Sequence, residues 1–174
     1  MLRLLVLGIA IALIPMTVHA ESGRHSEDVR EAKKLSVSAG VGFLSDVDSF
    51  GGTDQFLMQF DVLYNFTNIL AAGAVLQAGP AGGSSTVAMS FEGRAYLPIE
   101  GERFAGRLVP YVGVGLGFRT YTDIDTEFLF PIIIGLEYDM SDSVSLTSDM
   151  RFNIASGYDT FYYSWQIVGA RVRF

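Results

Sequence analysis

The chain has no cysteine in its 174 residues. That excludes disulfides, and it excludes a lipid-modified cysteine as an anchor. Histidine is nearly missing too: only His19 and His25 occur, both ahead of the patterned part of the chain. Long hydrophobic runs are equally scarce. The longest, Leu4 to Ile14, has eleven residues, whereas a helix needs about 20 apolar residues to cross a bilayer. Arg3 precedes this run and Val18-His19-Ala20 follows it, so residues 1–20 read as a signal peptide cleaved before Glu21. Positive charge is in short supply. Beyond Ala20, eleven basic residues face nineteen acidic ones, a net charge of −8, which argues against a nucleic-acid partner.

The mean hydropathy of +0.32 is nonetheless high, so the apolar residues must be spread in another pattern. That pattern has period two, the mark of strands with two unlike faces. It recurs eight times between Leu35 and Phe174. In the first run Leu35, Val37, Ala39, Val41 and Phe43 share a face opposite Ser36, Ser38, Gly40 and Gly42. In the fourth, Val87, Met89, Phe91, Ala95 and Leu97 oppose Ser90, Glu92, Arg94 and Tyr96. The fifth sets Val112, Val114, Leu116 and Phe118 against Tyr111, Gly113, Gly115, Gly117 and Arg119. The last is assigned Tyr162, Val168, Ala170, Val172 and Phe174 against Gly169, Arg171 and Arg173. No apolar face carries a charge. Turn-rich pieces separate the runs, and no second domain or longer repeat is evident.

Eight alternating strands suit either a soluble cup or a membrane barrel, and the faces decide between them. The non-apolar face is rich in Gly and Ser, which fit inside a narrow barrel. The other face is bulky and suited to lipid. Its aromatics gather towards the run ends: Phe43, Phe56, Tyr121, Phe128 and Tyr162 at one, Tyr64, Phe66, Tyr138 and Phe174 at the other. That arrangement predicts two interfacial girdles. The expected fold is all-β, an eight-stranded antiparallel up-and-down transmembrane β-barrel over 35–174, preceded by a short polar periplasmic segment over 21–34. An even strand count places both barrel ends of the chain on one side. Short loops over 45–55, 79–86, 120–127 and 155–160 then face outward.

The stretch Pro110-Tyr-Val-Gly-Val-Gly-Leu-Gly-Phe118 resembles the Pro-Tyr-x-Gly-x-Gly-x-Gly-aromatic stretch of OmpA-like and opacity-protein-like barrels. The ending Gly169-Ala-Arg-Val-Arg-Phe174 is similar to their closing strand. The resemblance implies a bacterial outer-membrane protein, surrounded by lipid and lipopolysaccharide and inserted by the barrel-assembly machinery, with Phe174 as the C-terminal assembly signal. It also implies contact with a host or neighbouring-cell surface as one role. The wall-tethering role of full-length OmpA-like proteins needs a further domain that this sequence does not include, and is not expected.

Two sets of residues stand out as candidate sites. Asp61, Glu92, Arg94, Arg119, Glu137, Asp149, Arg151 and Arg171, joined by Arg173, are assigned to the lumen. Charges buried there are tolerable only when paired and hydrogen-bonded, and arginine's planar fork can hold two carboxylates. An ion-pair plug is expected, the alternative being a gate for a narrow ion path. The second set, Asp46, Asp48, Asp123, Asp125 and Glu127, continues the inward parity to the outer mouth. There it would form a solvated acidic rim, or draw in Ca²⁺ or Mg²⁺, which prefer oxygen ligands. The spacing from Asp123 begins like a calcium loop but has Phe128 where glycine is needed, so no metal or other cofactor is assigned.

A lipid A-modifying enzyme would need histidine beside serine at the outer mouth, and none falls there; no catalytic residue is assigned. The Gly113-x-Gly115-x-Gly117 track has period two and is not a nucleotide fingerprint. The expected function is non-catalytic, in envelope integrity or surface interaction. The runner-up is a narrow ion channel or a path for small hydrophobic solutes.

Overall fold

The computed structural model describes residues 33–46, 55–81, 84–97, 107–121, 124–156 and 161–174. Alternating β-branched and aromatic residues cannot settle as a helix, because a 3.6-residue period would scatter the apolar face around the axis. They form eight strands: β1 (Leu35–Asp46), β2 (Gln55–Asn65), β3 (Leu70–Ala81), β4 (Ser84–Tyr96), β5 (Leu108–Tyr121), β6 (Ile124–Asp139), β7 (Val144–Ala155) and β8 (Phe161–Arg173). Each pairs antiparallel with its neighbours, and β1 pairs with β8, so the sheet is a closed barrel. Closure leaves no unpaired strand edge, which hydrocarbon could not satisfy. The fold is an eight-stranded up-and-down transmembrane barrel.

Inside and outside are cleanly sorted. Phe60, Phe91, Val112, Leu116, Ile134 and Leu146 are among the large apolar side chains on the outer surface. Among the described residues the buried set is mostly polar, with serines, threonines, asparagines, glutamines, carboxylates and arginines, beside thirteen apolar or aromatic residues. This inversion of a soluble protein is what a lipid solvent demands. At the end of the barrel where β1 begins and β8 finishes, two of the connections are tight turns. Between β2 and β3, the Phe66 and Thr67 amides donate to Leu70 O, and Thr67 Oγ1 accepts from the Ile69 and Leu70 amides. Between β6 and β7, Ser141 Oγ does the same for Ser143 and Val144. The Phe174 amide donates to Leu35 O at 2.8 Å, closing the seam at this end.

One strand departs from the expected parity. Tyr162, assigned above to the apolar face and its girdle, is fully buried in the lumen. The cause is a bulge in β8. Val41 pairs with Val168, but the next pair is Gly42 with Gln166, so Ile167 has no partner on β1. Ile167 and Val168 both face outward, and the extra residue reverses the parity of everything before it. Phe161 and Trp165 therefore face lipid, while Tyr162, Ser164 and Gln166 face inward.

Glycine has a packing role at Gly135. Its cross-strand partner is Tyr111, and a Cβ at this position would fall on the Tyr111 ring. That ring cannot move aside easily, because its hydroxyl donates to Asp149 Oδ2 at 3.0 Å and it is wholly buried. Gly135→Ala should therefore lower stability by about 1–3 kcal/mol through overpacking, read as a lower urea midpoint in detergent or lipid. An unchanged midpoint would mean that Tyr111 is free to shift.

Candidate functional site

The inward positions of five strands bring most of the lumen charges together. Asp61 of β2 accepts from Arg94 of β4 at 3.4 Å and from Arg171 of β8 at 3.3 Å. Arg94 also donates to Glu92 at 3.1 Å, and Glu92 pairs with Arg151 of β7. Arg151 in turn donates through Nε to Asp149 at 2.9 Å. On the other branch Arg171 pairs with Glu137 of β6, Glu137 with Arg173, and Arg173 with Asp139. The result is one line of alternating sign: Asp139, Arg173, Glu137, Arg171, Asp61, Arg94, Glu92, Arg151, Asp149. Every guanidinium in it touches two carboxylates. Alternation is what makes such burial tolerable, since each charge is paired on the spot rather than solvated.

Neutral groups hold the line in place. Gln59 donates to Asp149 at 3.2 Å, and its carbonyl oxygen accepts from Arg151 Nε at 3.0 Å and from Gln77 at 2.8 Å. Ser90 donates to Glu92 and Ser145 to Glu137, both at 2.8 Å. The Tyr96 hydroxyl accepts from Arg171 at 3.0 Å. The Arg94 guanidinium lies 5.3 Å from the centre of the Tyr111 ring. Apolar clusters flank the polar line. Leu63, Ala71, Tyr96, Val109, Tyr111 and Ile133 form one, and Leu44, Ala88, Leu129, Ala155 and Tyr162 form the other, at the end away from the chain termini.

Arg119 does not join the others. It donates through Nε and Nη2 to Glu127 Oε2, at 3.1 and 2.6 Å, and lies 4.0 Å above the Tyr162 ring. Glu127, assigned above to an open acidic rim, is 6% exposed and is drawn inward by this pair. Of the remaining rim residues, Asp46 ends β1 and Asp125 lies in β6, while Asp48 and Asp123 lie outside the described residues, as do His25 and segment 1–32. Among the described residues no group of three or more His, Cys, Asp or Glu is placed to hold a metal ion. Phe174 stands at the rim, largely exposed, beside Leu35. The sequence reading missed Asp139, although it lies two residues beyond Glu137 and so keeps the inward parity. It also missed Gln77, Ser164 and Gln166 as lumen residues, the last two because of the bulge.

The sequence matches no protein-family model and no curated protein. The fold, by contrast, is shared with solved barrels. Neisserial surface protein A (NspA) superposes with a TM-score of 0.66 at 14% identity, covering 80% of this chain and 97% of that one. The N-terminal β-barrel domain of OprF from Pseudomonas aeruginosa gives 0.61 at 14% identity, covering 82% and 98%. The outer membrane protein OprG from Pseudomonas aeruginosa gives 0.59 at 12%, covering 83% and 97%. In fold this chain is an eight-stranded barrel of the outer-membrane type, as the OmpA-like and opacity-protein-like resemblance implied.

Arg94→Ala leaves Asp61 and Glu92 each short of a buried partner. It should cost about 3–5 kcal/mol of stability, the range for breaking one side of a buried ion pair. Denaturant unfolding in lipid would read it, and a loss below about 1 kcal/mol would mean that water replaces the arginine at little cost.

Proposed function

We propose that this chain is a non-catalytic outer-membrane barrel, exported through a cleaved signal peptide, whose role is envelope integrity or surface contact rather than solute passage. The observation that carries this reading is the filled lumen: nine charged side chains run through it in an unbroken line, with two apolar clusters packed in the same interior. An eight-stranded barrel has an interior only wide enough for its own side chains, and here those side chains are bonded to one another. The fold shared with NspA, a protein named for the cell surface, supports the same placement. The outer loops lack histidine, which speaks against serine-based lipid hydrolysis. The surroundings would be lipopolysaccharide on one leaflet and phospholipid on the other, reached through the barrel-assembly machinery and its recognition of the closing strand ending in Phe174. In the surface-contact reading a host or neighbouring cell is the partner.

Two measurements test this. Purified protein in planar bilayers should give no steady single-channel current, and liposomes bearing it should retain small ions and apolar dyes. Lumen-dependent efflux would favour the transport reading instead. Cells lacking the protein should show raised sensitivity to detergents or reduced attachment to surfaces, restored by the intact gene. A wild-type envelope and wild-type attachment together would overturn the proposal.

A further inference from the structure

β8 carries a polar contact on its lipid face. Ser148 of β7 stands opposite the bulge, where the register steps from Thr147–Gly169 to Asp149–Gln166. Its hydroxyl donates to Gln166 O at 3.0 Å and accepts from the Trp165 indole N–H at 3.3 Å. Serine is a poor choice for a surface facing hydrocarbon unless its hydroxyl is used. Here it satisfies a backbone carbonyl that the bulge would leave short of a ladder partner. Phe43 of β1 packs edge-on against Trp165 from the other side, 5.6 Å between ring centres. On the inner side the Gln166 side chain fills the space over Gly40 and Gly169, where a Cβ on either glycine would strike its amide. The bulge is thus clasped on both faces of the wall.

The clasp has a consequence at the far end of the strand. With the extra residue in place, Tyr162 points inward. There it packs with Leu44, Ala88, Leu129 and Ala155, and its ring carries the Arg119 guanidinium, itself bound to Glu127. Without the bulge, regular alternation through Ile167 would turn Phe161, Tyr163 and Trp165 inward and send Tyr162 to lipid. We propose that the Ser148–Trp165–Gln166 clasp is a parity device that installs Tyr162 as the lid closing the outer end of the lumen, with Arg119 and Glu127 locked over it. This goes beyond the filled-lumen reading, because it assigns closure at the outer mouth to one bulge and one tyrosine.

Trp165 is the only tryptophan and the chain has no cysteine, so both steps can be read site-specifically. In membranes of lipids with brominated acyl chains, Trp165 fluorescence of the intact protein should be strongly quenched. Deleting Ile167 removes the extra residue, so plain alternation then carries Trp165 outward and quenching should persist in barrels that still shift on heating in gels. A folded deletion variant that loses the quenching would overturn the parity claim. The lid is tested separately with Leu129→Cys, which places a thiol in the cluster that packs against Tyr162. A charged, membrane-impermeant thiol reagent should label it slowly. Adding Tyr162→Ala, which leaves the bulge and the chain length alone, should speed labelling about tenfold or more, since local opening governs access. Equal labelling rates with and without Tyr162 would refute the lid, whether or not the deletion variant folds.

Discussion

The carboxylate of Asp61 sits between two guanidiniums, Arg94 and Arg171, in a lumen closed to water. Everything else in the barrel is arranged so that this can be true. A closed ring of eight strands encloses a space that side chains must fill, and the outward faces have already taken the bulky apolar residues for lipid. Beside its two apolar clusters the interior holds mostly polar groups, and polar groups at that depth need partners. Alternation of sign along the line from Asp139 to Asp149 supplies them for the carboxylates, while Arg94 Nε and Nη1, Arg151 Nη2 and Arg171 Nε are left without a protein partner among the described residues. The arginines come from β4, β7 and β8 and the carboxylates from β2, β4, β6 and β7, so the line ties together strands that are distant in sequence and not hydrogen-bonded to each other.

That cross-lumen tying separates this barrel from a tube. A water-filled pore needs side chains that stand back against the wall. Here Gln59 reaches across to Gln77, Gln166, Asp149 and Arg151 at once, and glycines on β1, β5, β6 and β8 accept the incoming side chains. Tyr111 shows the trade most directly, since its ring takes the volume that Gly135 gives up. A gate would require these partners to exchange in concert, each break exposing a buried charge. The geometry therefore favours a rigid core over a switch, and it places the closing element at the outer end, where Tyr162, Arg119 and Glu127 meet.

How much of this could be read from the chain alone depends on whether parity ran unbroken. Through the stretches that carry the central charges, β2, β4, β6 and β7 keep strict alternation, so the inward placement of Asp61, Glu92, Arg94, Glu137, Asp149 and Arg151 follows from counting by twos. Counting by twos also reaches Asp139, which was overlooked. It fails in β8, where the neighbouring apolar pair Ile167-Val168 hides a bulge that only pairing with Val41 and Gly42 reveals. Tyr162 was misplaced for that reason. The separation of Arg119 from the other arginines was not legible either, because which carboxylate an arginine reaches depends on height along the barrel axis. Sequence offered no rule by which Glu127 would be drawn inward to Arg119 rather than left at an open rim.

If the lumen charges act as one core, Glu92 and Arg151 must depend on each other. A double-mutant cycle measures that dependence: Glu92→Gln, Arg151→Met and the pair together, each unfolded in urea from lipid. The account predicts that each single change is costly and that the double change costs less than their sum by about 1–3 kcal/mol, the range for residues sharing one network. Additivity within about 0.5 kcal/mol, the behaviour of independent sites, would contradict it and would mean that the charges line the barrel without holding it together.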